Sequence, residues 1–232
     1  MLKKSLALLP GLLDDRAIWA PVIERLSDVA AVTVPDLSQQ ETIAGMARAV
    51  LEEMPERFAL AGLSMGGYVA LEIMRQAPAS VERLALVDTS ARPDAAEQAA
   101  RRMRLIDEVE HGRFKGIRAS LLPNLIAQSR LGDAALAQSL FAMAERVGKD
   151  AFIRQQNAIM ARIDSRPFLR FIACPTLIIG GREDQITPPP VLEELADGIA
   201  GAKLVLLEDC GHLAPIERPD EIAEALRAWL KQ

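Results

Sequence analysis

The sequence predicts an α/β protein built on a doubly wound, mainly parallel sheet of about six strands, with a block of helices inserted between the fourth and fifth strands. Three observations predict it. Short apolar runs of strand length recur six times, each bounded by turn formers or charges. Amphipathic helical patterns lie between them, and the strand runs are apolar throughout rather than alternating, as expected for a sheet covered on both faces. The alternation then breaks once, over about 80 residues.

The strand runs are Leu6 to Leu9, Ala31 to Val34, Phe58 to Ala61, Leu84 to Val87, Thr176 to Ile179 and Leu204 to Leu207. After the first, Pro10-Gly11 makes a turn. Trp19, Val22, Ile23 and Leu26 share one helical face, as do Ile43, Met46, Ala47, Val50 and Leu51, and then Val69, Ala70, Ile73 and Met74. The last helix opens on Pro219 with Asp220 and Glu221 in its first turn, and buries Ile222, Leu226, Trp229 and Leu230. Ligands of such folds bind beyond the carboxyl ends of the strands.

From Ala91 to Arg170 no strand is predicted, and helical patterns fall near 95–110, 131–147 and 150–163. This segment, 91–170, reads as a helical cap inserted in a core made of 1–90 and 171–232. Residues 92–170 hold 14 basic and 9 acidic side chains against 13 and 23 elsewhere, so the net charge of -5 averages a basic insertion over an acidic core. No repeat or long linker separates the two.

Composition narrows the chemistry. The two cysteines, Cys174 and Cys210, lie far apart outside any CxxC pattern, which supports neither structural zinc nor a disulfide framework and predicts reduced thiols. A net charge of -5 leaves no basic footprint for nucleic acid, and no run of 18 apolar residues is available to cross a bilayer. Met1-Leu2-Lys3-Lys4 and the apolar stretch after it imitate a secretory signal, but Pro10-Gly11 interrupts the stretch and Asp14-Asp15 ends it, so a buried strand and a cytoplasmic location are expected. Only His111 and His212 can serve a mechanism that needs histidine.

Gly62-Leu63-Ser64-Met65-Gly66-Gly67 follows the third strand directly and leads into a helix. Gly-x-Ser-x-Gly in that setting places a serine on a strained strand-to-helix turn, where glycines two positions away avoid collision with the neighbouring strand and helix. A serine needs a base to take its proton, and the base needs a carboxylate. His212, in Asp209-Cys210-Gly211-His212-Leu213 before the last helix, sits where a side chain can return over the sheet; His111 reads instead as a cation near a helix end. Asp184, in the turn-rich segment Gly180 to Pro189, is the expected acid, with Glu183, Asp88 and Asp209 as rivals. Backbone N–H groups of Leu12 and Met65 are the expected oxyanion donors.

On these residues the chain resembles the α/β-hydrolase-fold serine hydrolases, the small capped group with carboxylesterases, enol-lactonases and carrier-protein methyl ester esterases. The order Ser64, Asp184, His212 matches the family's nucleophile, acid and base, and Gly-Arg-Glu-Asp…Pro-Pro and Gly-His-Leu…Glu-Arg-Pro resemble its late motifs. The resemblance implies a core without the family's N-terminal hairpin and a cap entering at Ala91. Pro10-Gly11 stands where many relatives have His-Gly, and Ser38-Gln39-Gln40-Glu41 replaces a longer Gly-rich loop, which predicts a wider entrance.

The expected function is hydrolysis of a small-molecule ester, thioester or lactone through an acyl-enzyme on Ser64, with no metal or organic cofactor. The same triad would also serve C–C bond hydrolysis, a lyase step, perhydrolysis or acyl transfer, or remain in a slow-turnover small-molecule sensor. Candidate substrate contacts in the insertion are Arg92, Met103, Met143 and Met160. Its basic excess, with Arg101, Arg102, Arg104 and Arg118, predicts an anionic substrate.

Overall fold

The computed structural model describes residues 3–112, 114, 116 and 119–231. Six strands, β1 (Lys4–Leu9), β2 (Ala30–Thr33), β3 (Phe58–Leu63), β4 (Val81–Val87), β5 (Thr176–Gly181) and β6 (Lys203–Leu207), form one sheet in the order β2-β1-β3-β4-β5-β6, and every pairing is parallel. Helices α1 (Ala20–Leu26), α2 (Ile43–Glu53) and α3 (Met65–Gln76) fall between the first four strands. Three more, α4 (Ala96–His111), α5 (Leu122–Leu125) and α6 (Ala134–Met160), lie between β4 and β5, while α7 (Pro189–Gly198), α8 (Ala214–Glu217) and α9 (Pro219–Leu230) complete the chain.

Successive side chains of a strand point to opposite faces, so an all-apolar strand feeds two cores. In β1, Ala7 and Leu9 pack with α2, α3 and α7, whereas Leu6 and Leu8 pack with α1 and α9. The sheet is therefore covered on both sides. Helix α3 departs from the single apolar face read in the sequence, because every residue from Met65 to Met74 is buried. It lies between the sheet and α2, and Glu72 is tolerated there by Arg75 and Gln76, which bond its carboxylate at 2.6 to 2.8 Å.

The helical patterns at 131–147 and 150–163 run on from one another as α6, broken at Gly148, whose φ of +82° lies in the left-handed region. Polar contacts tie this insertion to the loops at the carboxyl ends of the strands. Gln155 of α6 accepts the Leu13 N–H at 3.1 Å and donates to the Leu37 carbonyl at 3.2 Å, and Arg146 bonds Asp15 at 2.6 Å. The carbonyl of Leu125 accepts the His212 N–H at 3.0 Å.

Candidate active site

Ser64 joins β3 to α3 with φ +50° and ψ -112°, a combination that is costly for a residue with a side chain. The surroundings over-determine it. Its N–H donates to the Val87 carbonyl at 2.9 Å, and its own carbonyl accepts the Gly67 N–H at 2.9 Å and the Thr89 hydroxyl at 2.7 Å. A Cβ on Gly62 would lie 2.3 Å from the Gly66 carbonyl oxygen, and one on Gly66 would lie 2.5 Å from the Leu9 oxygen. Gly67 matters equally, since its Cβ would meet Thr89 at 2.3 Å. The closeness of Gly67 to Thr89 is not legible in the sequence, because their contact exists only once β3 and β4 pair.

The turn aims Ser64 Oγ at His212 Nε2, 2.9 Å away, and His212 Nδ1 lies 2.8 Å from Asp184 Oδ2. The serine is partly exposed, while the histidine and the aspartate are buried. Asp184 is fixed by its own turn: Oδ1 accepts the Ile186 and Thr187 N–H groups at 2.7 and 3.0 Å, and Oδ2 also takes the Thr187 hydroxyl at 2.6 Å. Burial by itself would raise this carboxyl, but His212 and these bonds hold it below the ordinary carboxylate value. Burial likewise opposes charge on His212, yet Asp184, with Asp88 and Asp14 nearby, raises it from 6.5 to about 9.

The rival acids are used elsewhere. Asp88 follows β4 directly and accepts the Gly181 N–H at 3.0 Å and the Ala214 N–H at 3.2 Å, a tie between three elements; burial, with Asp184 beside it, pushes its carboxyl well up. Glu183 accepts the Gln128 N–H, and Asp209 bonds Ser129 and Arg218. His111 closes α4 on the surface, its Nδ1 near the Asp107 carbonyl.

The turn after β1 abuts the serine turn. The position of a Cβ on Gly11 is 3.5 Å from Ser64 Cβ, and Gly66 packs on the Leu9 and Pro10 carbonyls. Among the described residues the N–H groups of Leu12 and Met65 donate to no protein acceptor.

The insertion residues expected to touch substrate differ in their surroundings. Met103 is 57% exposed on α4, and Met143 is fully buried among the apolar side chains of the α1 and α9 face. Met160 is half-buried in the last turn of α6. Arg92 is held by Glu194 and lines a cavity of about 480 Å³ with Thr42, Tyr68, Ser90 and Arg162, rather than the space beside the serine. Arg102 bonds Asp94 and Gln156, Arg101 and Arg104 are exposed, and Arg118 lies outside the described residues. Two of the arginines on which an anionic substrate was expected, Arg92 and Arg102, are thus already paired with carboxylates within the protein. A second cavity of about 400 Å³ opens where the loop after β2 is short, lined by Pro10, Asp14, Val34, Leu37, Arg146 and Val147. Neither cavity is lined by Ser64 or His212, so the site is defined by its hydrogen bonds.

Among the described residues no group of three or more His, Cys, Asp or Glu side chains is placed to hold a metal ion, and no helix is long and apolar enough to cross a membrane.

Known proteins are similar to this chain at modest identity. A 31% identical stretch of 170 residues in the "Putative non-heme bromoperoxidase BpoC" of Mycobacterium tuberculosis covers 71% of this chain and 64% of that protein, so the chain spans less than two thirds of that relative. The pimeloyl-[acyl-carrier protein] methyl ester esterase of Aromatoleum aromaticum is 27% identical over 246 residues, 96% of each chain. Among solved structures, a thermophilic esterase from Thermogutta terrifontis superposes with a TM-score of 0.89 at 28% identity, covering 98% of this chain and 89% of the other. The enol-lactonase from Burkholderia xenovorans LB400 gives 0.86 at 26% identity, covering 100% and 93%. The sequence model of the Alpha/beta hydrolase family matches residues 6–225, from the first strand into the last helix, and with this sheet order and serine turn the chain belongs to the alpha/beta hydrolase family.

Proposed function

We propose that this protein is a serine hydrolase that cleaves a small-molecule carboxylic ester, thioester or lactone through an acyl-enzyme on Ser64. The observation that carries the reading is the continuous line from Ser64 Oγ through the His212 ring to Asp184, 2.9 and 2.8 Å, on a strained strand-to-helix turn. In this mechanism the Ser64 hydroxyl gives its proton to His212 Nε2 as Oγ attacks the carbonyl carbon. The carbonyl oxygen, now negative, takes the Leu12 and Met65 N–H groups, donors worth about 3 kcal/mol each by analogy with measured cases. His212 returns the proton to the leaving alcohol, thiol or ring oxygen. Water then repeats the sequence to release the acid. Asp184 fixes the Nδ1–H tautomer and offsets the charge on the imidazolium.

The esterases and the lactonase to which the chain is similar support this reaction class. Segment 91–170 serves as the cap, a role supported by the bonds from Gln155 and Leu125 to the Leu13 and His212 backbones. No metal or organic cofactor enters the mechanism, and a cytoplasmic location with reduced Cys174 and Cys210 agrees with both cysteines being free. A fluorophosphonate should add one phosphonyl group at Ser64, seen by mass spectrometry, and Ser64→Ala should lower ester turnover by roughly 10⁴ to 10⁶. Near-normal turnover in Ser64→Ala would sink the assignment.

A further inference from the structure

Asp14 is a buried acid that the mechanism above does not use. It is 6% exposed, lies on the turn that carries the Leu12 N–H, and forms no hydrogen bond or ion pair with any side chain among the described residues. Its own N–H donates to the Gly11 carbonyl at 3.3 Å, and the Gly11 N–H and the charge on His212 favour its ionised form. Buried carboxylates almost always have a partner, because an uncompensated charge in a low dielectric is costly. The position is also specific. The point where Gly11 would carry a Cβ lies 2.6 Å from Asp14 Oδ2 and 3.5 Å from Ser64 Cβ, so the carboxylate and the Ser64 side chain both lie beside the same point of Gly11. Asp14 further lines the cavity of about 400 Å³ that the short loop after β2 leaves open.

We propose that Asp14 is the substrate-selecting carboxylate of this site, and that the substrate carries a cationic nitrogen close to its scissile carbonyl. The proposal rests on the serine hydrolase reading and names the substrate class for it. Charge balance around the nucleophile favours such a substrate. Asp184 and Asp88 already lie near His212, and a further carboxylate beside the oxyanion turn opposes the negative charge that develops on the carbonyl oxygen. A cation on the substrate, seated between Asp14 and the reacting carbon, relieves both the unpaired acid and the developing oxyanion. Among the cations near Asp14, Arg146 is bonded to Asp15 and Arg16 is exposed, and the charge on His212 that favours ionised Asp14 is absent whenever the ring is neutral and able to take the Ser64 proton.

Two isosteric pairs place the cation on either side of the ester. β-Alanine methyl ester is compared with methyl butanoate for the acyl side, and acetylcholine with its carbon isostere, in which tert-butyl replaces trimethylammonium, for the alcohol side. The expected kcat/KM ratio of cationic to neutral ester is about tenfold or more in at least one pair, and it falls to about unity in Asp14→Asn. Taking the ratio within each protein cancels any general loss of activity in the variant. A ratio at or below unity in both pairs, or one that survives Asp14→Asn, overturns the proposal. If no ester is cleaved, the hydrolase reading fails separately, and binding to Ser64→Ala decides the recognition. Choline that binds more tightly than its neutral tert-butyl isostere, and loses that advantage when Asp14→Asn is added, supports Asp14; equal or absent binding of the two overturns it.

Discussion

One carboxylate oxygen of Glu217 accepts the N–H groups immediately before and after His212, those of Gly211 and Leu213, each at 3.1 Å. Its other oxygen takes the Ala127 N–H at 2.7 Å, and its backbone carbonyl takes Arg130, both from the segment between β4 and β5. A single buried acid thus brackets the proposed base and fastens the insertion to it. In Glu217→Gln an amide nitrogen must face backbone N–H donors, at a cost of about 1 to 3 kcal/mol. We expect a lower melting temperature and slower fluorophosphonate labelling of Ser64, measured side by side; an unchanged labelling rate would limit Glu217 to stability.

The Asp184 and Asp88 carboxyls are both buried near His212, but only Asp184 bonds its ring. Asp184→Asn should reduce kcat by about 10⁴, as the loss of the orienting carboxylate does in comparable triads. Asp88→Asn should instead act through stability, because Asp88 links the Gly181 and Ala214 backbones. Steady-state kinetics on both variants, together with thermal melts, separate the two roles.

His212 must be neutral to accept the Ser64 proton, and its value is raised from 6.5 to about 9. A raised value keeps the imidazolium present at neutral pH, so kcat/KM for an uncharged ester should climb with pH, reach half its maximum near 9 and level off above that. A plateau already reached near the ordinary imidazole value would contradict this.

Burial, opposed by His212, pushes the Asp14 carboxyl up from 3.8 to about 7. A folded value above the unfolded one means that the native state holds the proton more tightly, so this group's stabilisation is full below the unfolded value and is lost as the pH rises through about 7. Asn imitates the protonated form. Asp14→Asn should therefore be more stable than the unchanged protein in mild alkali, by on the order of 2 to 4 kcal/mol, with the advantage vanishing in acid. Urea unfolding across this range checks the sign.

Gly66→Ala places a methyl group 2.5 Å from the Leu9 carbonyl oxygen, a backbone atom with little room to move. The two turns would have to separate, so we expect loss of Ser64 labelling together with destabilisation above about 2 kcal/mol. Gly132→Ala, where a Cβ meets nothing within 4 Å, serves as the control.

The strands, the serine turn and the order of Ser64, Asp184 and His212 were legible in the sequence for a physical reason. Each depends on local periodicity or on a turn that only certain residues tolerate, and one parallel sheet then carries all three loops to the same rim. Roles set by long-range contact were not legible. Nothing local shows that Arg102 would be taken by Asp94, that Met103 would face solvent, or that Glu217 would bracket His212. The basic excess of 92–170 is genuine as composition, but the partners of its arginines are fixed only by packing. Asp14 is the sharpest case. In the sequence it marks the end of an apolar run, whereas the fold buries it beside Gly11 and Ser64 without a side-chain hydrogen bond among the described residues, because the turn after β1 and the short loop after β2 meet only when β1 pairs with both β2 and β3.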